Sequence, residues 1–232
     1  MKKLYAYVVA VIFSITSSTA VLADSGFSVG LVGQFATFKT DGSETETTGD
    51  KEENHGEVTE SAALPSLFAE YSAIHSSGLG ITVGAEYVPG EAEIGSKSRL
   101  DEDGSDPAEN DDGTYTAKAE VSNYASIYIE PTFMFSESWG LYGKVGAARI
   151  TVNSLENIGV GANSSTYADE DINGGMYGIG FRGQHSSGAF VKVEGLVTKF
   201  EGFTLTSTTG NKNTIQARPE SRAIRLAVGY QF

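Results

Sequence analysis

Cysteine is absent from all 232 residues of the chain. Its absence excludes a disulfide framework and a thiolate metal site. Proline is scarce as well, with 5 residues against 28 glycines, and 11 tyrosines and 12 phenylalanines add to a composition that favours β structure. Basic residues are few: 16 lysines and arginines stand against 30 acids, which leaves a net charge of −14. Nucleic acid is therefore not expected as a partner.

Long apolar runs are missing beyond the N-terminus. Two lysines at positions 2 and 3 precede an apolar run over residues 5–15, and a stretch of small residues follows it. This pattern predicts a secretory signal peptide over residues 1–23, so that the exported mature domain covers residues 24–232. No later stretch approaches the roughly 18 consecutive apolar residues of a transmembrane helix.

Apolar and polar residues alternate with period two through the mature chain, and this pattern predicts eight strands. The predicted strands cover residues 25–38, 61–75, 79–92, 116–135, 139–153, 174–185, 188–203 and 214–232. Tight turns are predicted at residues 75–78, 136–138 and 185–188. Long polar loops are predicted at residues 39–60, 91–115, 154–173 and 204–213. Short and long connections in alternation predict an up-and-down meander.

The polar face of the predicted strands carries charges of both signs. They are Glu70, Glu86, Glu130, Lys144, Arg182, Lys192, Glu194 and Arg225. On a soluble β-sandwich these residues would form the wet face, but the apolar face would then need a second layer. If the sheet closes on itself, the polar face lines the lumen, the apolar face meets lipid, and four acids neutralise four bases. We therefore predict an all-β protein, a transmembrane up-and-down antiparallel β-barrel of 8 strands.

With these features the sequence resembles the eight-stranded outer-membrane β-barrels of bacteria, of the OmpA-like or opacity-protein type. The resemblance covers nearly all of the mature chain and includes the terminal residues Gly-Tyr-Gln-Phe. In that family a C-terminal phenylalanine, with apolar residues at alternate positions before it, belongs to the signal that the barrel-assembly machinery reads. The resemblance assigns this role to Tyr230 and Phe232. Because the chain stops at Phe232, we expect no peptidoglycan-binding domain and no anchoring of the cell wall.

Aromatic residues are predicted to form girdles at the two membrane interfaces. On the short-turn side they are Phe27, Tyr71, Phe133, Phe135, Trp139, Phe190, Tyr230 and Phe232, and on the other side Phe35, Tyr87 and Phe203.

Irregular strand geometry is expected at Pro65, Pro89 and Pro131, because proline cannot donate to a ladder. A further bulge is predicted at Ala147-Ala148, since Leu141 and Val145 set one outward phase and the apolar residues at 150 and 152 set the opposite one.

Acidic residues crowd the long predicted loops, whereas the strands between them are nearly neutral. The main interpretation is a solvated loop surface. Divalent cations shared with lipopolysaccharide phosphates are the alternative, because carboxylates suit Ca²⁺ and Mg²⁺. The candidate ligands are Asp101, Asp103, Asp106 and Asp112. Their segment lacks the glycine at position six and the flanking helices of an EF-hand, so we assign no metal site and expect no cofactor.

The sequence predicts a structural outer-membrane protein that supports envelope integrity and meets extracellular partners through acidic loops. We expect outer-membrane lipids, lipopolysaccharide and the barrel-assembly machinery as partners, a monomer, both termini in the periplasm and the long loops outside. A narrow channel is one alternative, because a rearranging salt bridge could open the filled lumen. A channel for apolar molecules would need an apolar inner funnel, which the charged lumen argues against.

A lipid A-modifying enzyme is the other alternative. The pairs His75-x-Ser77 and His185-x-Ser187 have the spacing of a lipid A deacylase, but both fall in predicted tight turns. A protease of the omptin type would need a larger barrel, and the only histidine in a long loop is His55. We therefore expect no enzyme activity and assign no catalytic residue.

Overall fold

The computed structural model describes residues 22–45, 53–101, 113–158, 167–208 and 214–232. Nine strands account for nearly all of them: β1 (Leu22–Thr45), β2 (Glu53–His75), β3 (Leu79–Asp101), β4 (Gly113–Met134), β5 (Trp139–Ile158), β6 (Glu170–Gln184), β7 (Ala189–Phe200), β8 (Phe203–Thr206) and β9 (Thr214–Gln231). No helix among these residues is long and apolar enough to cross a membrane. Residues 1–21 of the predicted signal peptide lie outside the described ranges.

The strands form one antiparallel sheet that closes on itself. Each strand from β1 to β6 pairs with the next, β7 pairs with β9, and β9 pairs with β1 from Ser28↔Gln231 to Thr45↔Thr214. The short strand β8 pairs only with the first residues of β9, as a continuation of β7 after a register shift of one residue. The prediction of an eight-stranded closed barrel is confirmed, with β8 as one additional short strand.

The two ends of the barrel differ in their connections. At one end, which we call the turn end, tight turns at residues 76–78, 135–138 and 185–188 join the strands, and β1 begins and β9 ends there. We call the opposite end the loop end. The strand limits predicted for the turn end agree with the structure, but four long loops were predicted too large. Strands β1 to β5 run on for several residues past their predicted loop-side limits, because their polar residues continue to pair with neighbouring strands.

The predicted bulge at Ala147-Ala148 is wrong, because β5 keeps a continuous register with β6 through both residues. The bulge lies instead on β4, where Asn123 and Tyr124 stand opposite a single residue of β5 and Asn123 has a φ of 53°. The extra residue shifts the alternation of inward and outward side chains along β4 by one position. Val121 therefore points inward rather than to the exterior.

The prolines divide into two groups. A register shift follows Val88, at Pro89, as predicted, and Gly90 supplies the positive φ of 95° there. Pro65 and Pro131 keep regular pairs with β1 and β3, respectively. On their other sides the ladder is interrupted, since no pair is made by Pro65 to β3 or by Pro131 to β5.

Outward side chains near the turn end are apolar. They form a band around the barrel that includes Phe27, Val29, Leu31, Phe35, Leu67, Tyr71, Phe133, Trp139, Tyr177, Ile179, Phe181, Ile224, Leu226 and Val228. The band is nine residues long on β1, from Phe27 to Phe35, and also on β9 together with the terminal residue, from Ile224 to Phe232. A tilted strand of this length crosses a bilayer. Two residues predicted for the aromatic girdles point inward instead: Phe190 is buried in the lumen and Phe203 packs against the inner core.

Outward side chains near the loop end are polar and form ion pairs between neighbouring strands. Lys39 lies 2.9 Å from Glu57, and Arg149 pairs with Asp171. The hydrogen bond that Lys39 donates to Glu57 raises the pKa of Lys39, and hydrogen bonds from Thr151 and Arg149 lower the pKa of Asp171. Charged side chains in such contacts stay hydrated on an aqueous surface. The barrel therefore has a turn half with an apolar exterior and a loop half with a polar exterior.

A charge placed on the apolar band tests this division. We expect Leu31→Arg to lower the free energy of unfolding by about 2–4 kcal/mol, because its guanidinium would lie in hydrocarbon. The matched substitution Thr204→Arg, on the exposed face of β8, should change it by no more than about 0.5 kcal/mol. Urea unfolding of both variants in lipid vesicles measures the difference, and equal effects would contradict the assignment of the band.

Candidate functional site: the barrel lumen

Eight charged side chains converge inside the turn half of the barrel. The period of two directs them inward from seven strands, and all eight are buried: Glu70, Glu86, Glu130, Lys144, Arg182, Lys192, Glu194 and Arg225. These are the residues that the sequence predicts for the lumen, and the structure brings all of them into the same half of the barrel. Seven of the eight form salt bridges with one another, and we call these seven the ionic layer; Arg182 is the one outside it.

Acids and bases alternate along the ionic layer without interruption. Lys192 bridges Glu70 and Glu130, with 2.7 Å between its Nζ and Oε2 of Glu130. Lys144 continues from Glu130, at 3.1 Å, to Glu194, at 2.9 Å. Arg225 then bridges Glu194 and Glu86. One connected chain of opposite charges therefore ties together β2, β3, β4, β5, β7 and β9.

Hydroxyl groups and aromatic rings fill the space around the ionic layer. Ser66 donates a hydrogen bond to Glu86, and Tyr128 donates one of 2.8 Å to Glu70. The Nζ of Lys144 lies 4.1 Å from the centre of the Tyr128 ring. The cavity that remains at this level has a volume of about 10 Å³, which is about the least that holds one water molecule. The layer therefore closes the lumen.

Arg182 is buried in the lumen nearer the turn end than the ionic layer. Its guanidinium donates to the Gln231 side chain at 2.7 Å and lies 4.1 Å from the centre of the Phe190 ring. The side-chain amide of Gln231 thus accepts from an edge of the cation, and the aromatic ring of Phe190 lies over a face of it. Arg182 is among the most deeply buried large side chains of the described residues.

The lumen of the loop half is apolar, whereas the sequence predicts a charged lumen. Its core consists of Ala36, Phe38, Ala92, Ile94, Val121, Tyr128, Ala148, Ile150, Val152, Ile172, Met176, Leu196, Phe200 and Ala223. We call this space the apolar chamber. Its cavity has a volume of about 40 Å³, within an empty space of about 560 Å³ that includes the solvent at its mouth.

The prediction of a charged lumen without an apolar inner funnel is therefore wrong for the loop half. Ile150 and Val152 were assigned to the exterior because apolar residues were taken to face outward. They are 2% and 0% exposed and lie on the same face of β5 as Lys144. The regular spacing of Lys144, Ile150 and Val152 was the signal that could have placed them in the lumen.

The remaining predicted sites divide into those that the structure describes and those that it does not. Asp103, Asp106 and Asp112 lie outside the described residues, and of Asp101 only the backbone is described. Within the described ranges, no group of three or more His, Asp or Glu side chains is placed to hold a metal ion. Tyr230 and Phe232 are exposed at the turn end, with ring centres 5.1 Å apart, and the amide of Phe232 donates to Phe27. Their role in assembly stays a prediction.

The two His-x-Ser pairs lie in tight turns, as the sequence predicts. Nδ1 of His75 accepts a hydrogen bond from the amide of Ser77 and lies 3.1 Å from its hydroxyl. His185 and Ser187 repeat this geometry. Each pair is held by its own turn, and both are exposed at the turn end of the barrel. The hydrogen bonds that stabilise the two turns therefore account for the His-x-Ser spacing.

Removal of one member of the ionic layer should strongly destabilise the barrel. We expect Glu130→Gln to lower the free energy of unfolding by about 3–5 kcal/mol, because it leaves two buried lysines short of a partner. In the exposed pair between Glu93 and Lys118, Glu93→Gln should cost less than about 1 kcal/mol. Urea unfolding in lipid vesicles measures both. Addition of Lys144→Met to Glu130→Gln should cost less than the sum of the single changes, and strict additivity would contradict the coupling.

Comparison with known proteins gives one family and several structural neighbours. The family model described as "Outer membrane protein beta-barrel domain" matches residues 6–232. No curated protein matches the sequence at a significant level.

Three solved structures of similar fold share between 10% and 15% identity with this chain. OprG from Pseudomonas aeruginosa shares 15% identity, with 89% of this chain and 97% of that chain covered and a TM-score of 0.49. The outer membrane protease OmpT from Escherichia coli shares 10% identity over 93% of this chain and 99% of its own, with a TM-score of 0.46. Ail, the attachment invasion locus protein of Yersinia pestis, shares 11% identity over 86% and 98%, with a TM-score of 0.36.

The family match covers almost the whole chain, and the closed barrel with its apolar band is the architecture that the match requires. The protein belongs to the outer membrane protein β-barrel domain family.

Proposed function

We propose that the protein is a sealed, non-enzymatic barrel of the bacterial outer membrane that stabilises the envelope and presents an acidic surface to the exterior. The ionic layer is the observation that carries this proposal. It leaves a cavity of about 10 Å³ in the turn half, so a hydrated ion or a solute has no path from one end of the lumen to the other. A narrow channel is the alternative that this geometry disfavours.

The orientation in the membrane follows from the two halves. The loop half extends beyond the apolar band, and its exterior is polar. This half therefore lies in water rather than in the bilayer. We propose that the loop end faces the outside of the cell and that both termini, at the turn end, face the periplasm. The exposed Phe232 then stands at the periplasmic interface, where the proposed assembly signal of Tyr230 and Phe232 is accessible to the barrel-assembly machinery.

The surface of the loop half supports a role at the cell exterior. Exposed acids are distributed over its strands and the residues next to them: Asp41, Glu57, Glu91, Glu93, Asp169, Glu170, Asp171 and Glu201. We propose that divalent cations bridge this surface to the phosphates of lipopolysaccharide, as a diffuse layer rather than a defined site. A monomer is sufficient for this role, because the closed sheet leaves no edge for a partner strand.

Enzyme activity has no support in the lumen. The buried acids and bases are bound to one another in the ionic layer, and a structural network of this kind places titratable groups together without a substrate site. The His-x-Ser pairs form hydrogen bonds within their own turns. They lie at the turn end, opposite to the acidic surface.

Ion flux tests the seal. The wild-type barrel in lipid vesicles should pass no ions, whereas Glu130→Ala combined with Lys144→Ala should conduct, because loss of one acid and one base opens the layer without a change in its net charge. The control is Glu93→Ala with Lys118→Ala, an acid–base pair outside the barrel, which should stay closed. Stepwise currents through the wild-type protein would contradict the proposal.

Envelope permeability tests the role of the acidic surface. Cells that carry Glu57→Gln, Glu91→Gln and Glu93→Gln together should admit a large apolar antibiotic faster than wild-type cells at millimolar Mg²⁺, because fewer cations are retained between protein and lipopolysaccharide. Glu137→Gln, in an exposed turn at the other end, is the matched control and should have no effect. Equal permeability of all three strains would rule out the acidic surface as a contributor to envelope integrity.

A further inference from the structure

Nine outward positions on β6, β7 and β9 form a patch that changes from apolar to charged over three rows. We call it the interface patch. From the turn end toward the loop end, its rows across the three strands are Ile179–Gly195–Ile224, Tyr177–Val197–Arg222 and Gly175–Lys199–Glu220. Ile179 and Ile224 belong to the apolar band, whereas the last row lies on the polar exterior. The patch therefore spans the edge of the bilayer.

The middle row lies at the level of the lipid headgroups. Arg222 stands two positions beyond Ile224, the last band residue of β9, and this separation is about 7 Å along the strand. The headgroup region of one leaflet is roughly 5–8 Å thick. Tyr177, in the same row, is half-exposed, as is typical of aromatic residues at a membrane interface. The charged end of the patch therefore faces headgroups rather than acyl chains.

Two bases share one acid in the interface patch. Nε of Arg222 donates a hydrogen bond of 2.7 Å to Glu220, and Nζ of Lys199 lies 3.7 Å from the same carboxylate. The side chain of Glu220 is 22% exposed, whereas those of Arg222 and Lys199 are 73% and 61% exposed. The three groups together carry a charge of +1, and the two bases are its accessible members.

The other ion pairs on the exterior of the loop half leave no positive charge over. They are Lys39 with Asp41 and Glu57, Lys118 with Glu93, and Arg149 with Asp171. Within the described ranges, the group around Glu220 is therefore the exterior ion-pair group with more bases than acids. It occurs in a chain whose net charge is −14, so general attraction of anions to the protein does not account for it.

The hydrogen-bond donors of the interface patch suit a phosphate. The two terminal nitrogens of Arg222 donate to none of the residues that the structure describes, since its hydrogen bond to Glu220 uses Nε. Nζ of Lys199 lies beyond hydrogen-bond distance of Glu220. A guanidinium binds two oxygens of a phosphate at once, and an ammonium can bind a third. A phosphate monoester has three terminal oxygens and nearly two negative charges, whereas a diester has two such oxygens and one charge.

Two glycines leave room for the rest of a lipid. A side chain added at Gly195 or at Gly175 would meet no atom within 4 Å. Gly195 therefore forms a dent in the apolar band, between Ile179 and Ile224. Gly175 leaves similar room beside Lys199, in the charged row. An acyl chain fits the first opening, and the body of a headgroup fits the second.

We propose that the interface patch binds a lipid with a phosphate monoester, whose phosphate lies between Arg222 and Lys199 and one of whose acyl chains covers Gly195. Glu220 holds the two bases together. The orientation proposed above places the patch in the outer leaflet, where the lipid is the acylated glycolipid of lipopolysaccharide. The leaflet rests on that proposed function, whereas the recognition of phosphate does not. The contact is direct, so it persists when divalent cations are removed.

Native mass spectrometry of the protein in detergent micelles tests the site, with monophosphoryl lipid A as the probe and a chelator of divalent cations present. The wild-type chain should retain one lipid, and Lys199→Gln with Arg222→Gln should retain at least about fivefold less. The matched control, Lys118→Gln with Arg149→Gln, also removes two exterior bases and should retain as much as the wild type, because each of these bases contacts its own acid. Equal loss in both double variants would overturn the proposal.

Four further probes test which chemical group is recognised. Phosphatidic acid, a monoester, should be retained, and diacylglycerol with the same acyl chains should not, because the two differ only in the phosphate. Phosphatidylglycerol, a diester, should be retained at least about threefold more weakly than phosphatidic acid. Inorganic phosphate at millimolar concentration should displace none of the lipid, since it has no acyl chain. Retention of diacylglycerol or of phosphatidylglycerol equal to that of phosphatidic acid would contradict the assignment.

A change in shape without a change in charge tests the dent. Gly195→Leu should lower the retention of monophosphoryl lipid A severalfold, whereas Gly33→Leu, at another outward glycine with open space around it, should leave retention unchanged. The difference in gel mobility between heated and unheated samples verifies that each variant folds. Full retention by Gly195→Leu would overturn the proposed placement of the acyl chain. Micelles have no sides and no current is measured, so a failure of the proposed orientation or of the seal would leave these results unchanged.

Discussion

Each side chain of a barrel wall has only two destinations, the lumen or the exterior, and the medium around the wall decides which of the two must be polar. In this protein the medium changes along the strands while the alternation continues. Leu31 and Leu226 face outward in the turn half, where the surroundings are lipid, and Lys39 and Asp171 face outward in the loop half. The lumen shows the reverse order, with charges in the turn half and an apolar core in the loop half.

The ionic layer follows from this constraint. Inward polar groups in a narrow, closed lumen cannot be hydrated in the usual way, and an unpaired buried ion costs several kcal/mol. The alternating chain from Glu70 to Glu86 gives every member an opposite charge within contact distance and connects six strands. The loop half has no such demand, since water surrounds it, and so it is built like a soluble barrel around apolar side chains. The ionic layer and the apolar chamber thus both result from the change from lipid to water along the outside of the strands.

The sequence predicts much of this architecture, because side chains alternate between the two faces of a strand whether lipid or water surrounds it. It assigns the eight lumen charges to one face and pairs the last strand with the first. The prediction fails where apolar residues are expected to face the exterior. Ile150 and Val152 point into the chamber instead. The strand limits at the loop end fail for the same reason, since residues such as Thr40 and Val58 continue a paired strand in water after the outward apolar residues have ended. The bulge at Asn123 could not be located from β4 alone, because it depends on the partner strands.

The position of the bilayer edge along the strands tests the reversal of polarity most directly. Trp139 is the only tryptophan, so a Trp139→Phe background allows single reporters at outward positions. In vesicles of lipids brominated along their acyl chains, tryptophan introduced by Leu31→Trp and Leu226→Trp should be strongly quenched. Tryptophan introduced by Thr151→Trp and Lys199→Trp, in the loop half, should not be quenched. Comparable quenching at all four positions would show that lipid surrounds both halves and would contradict the account.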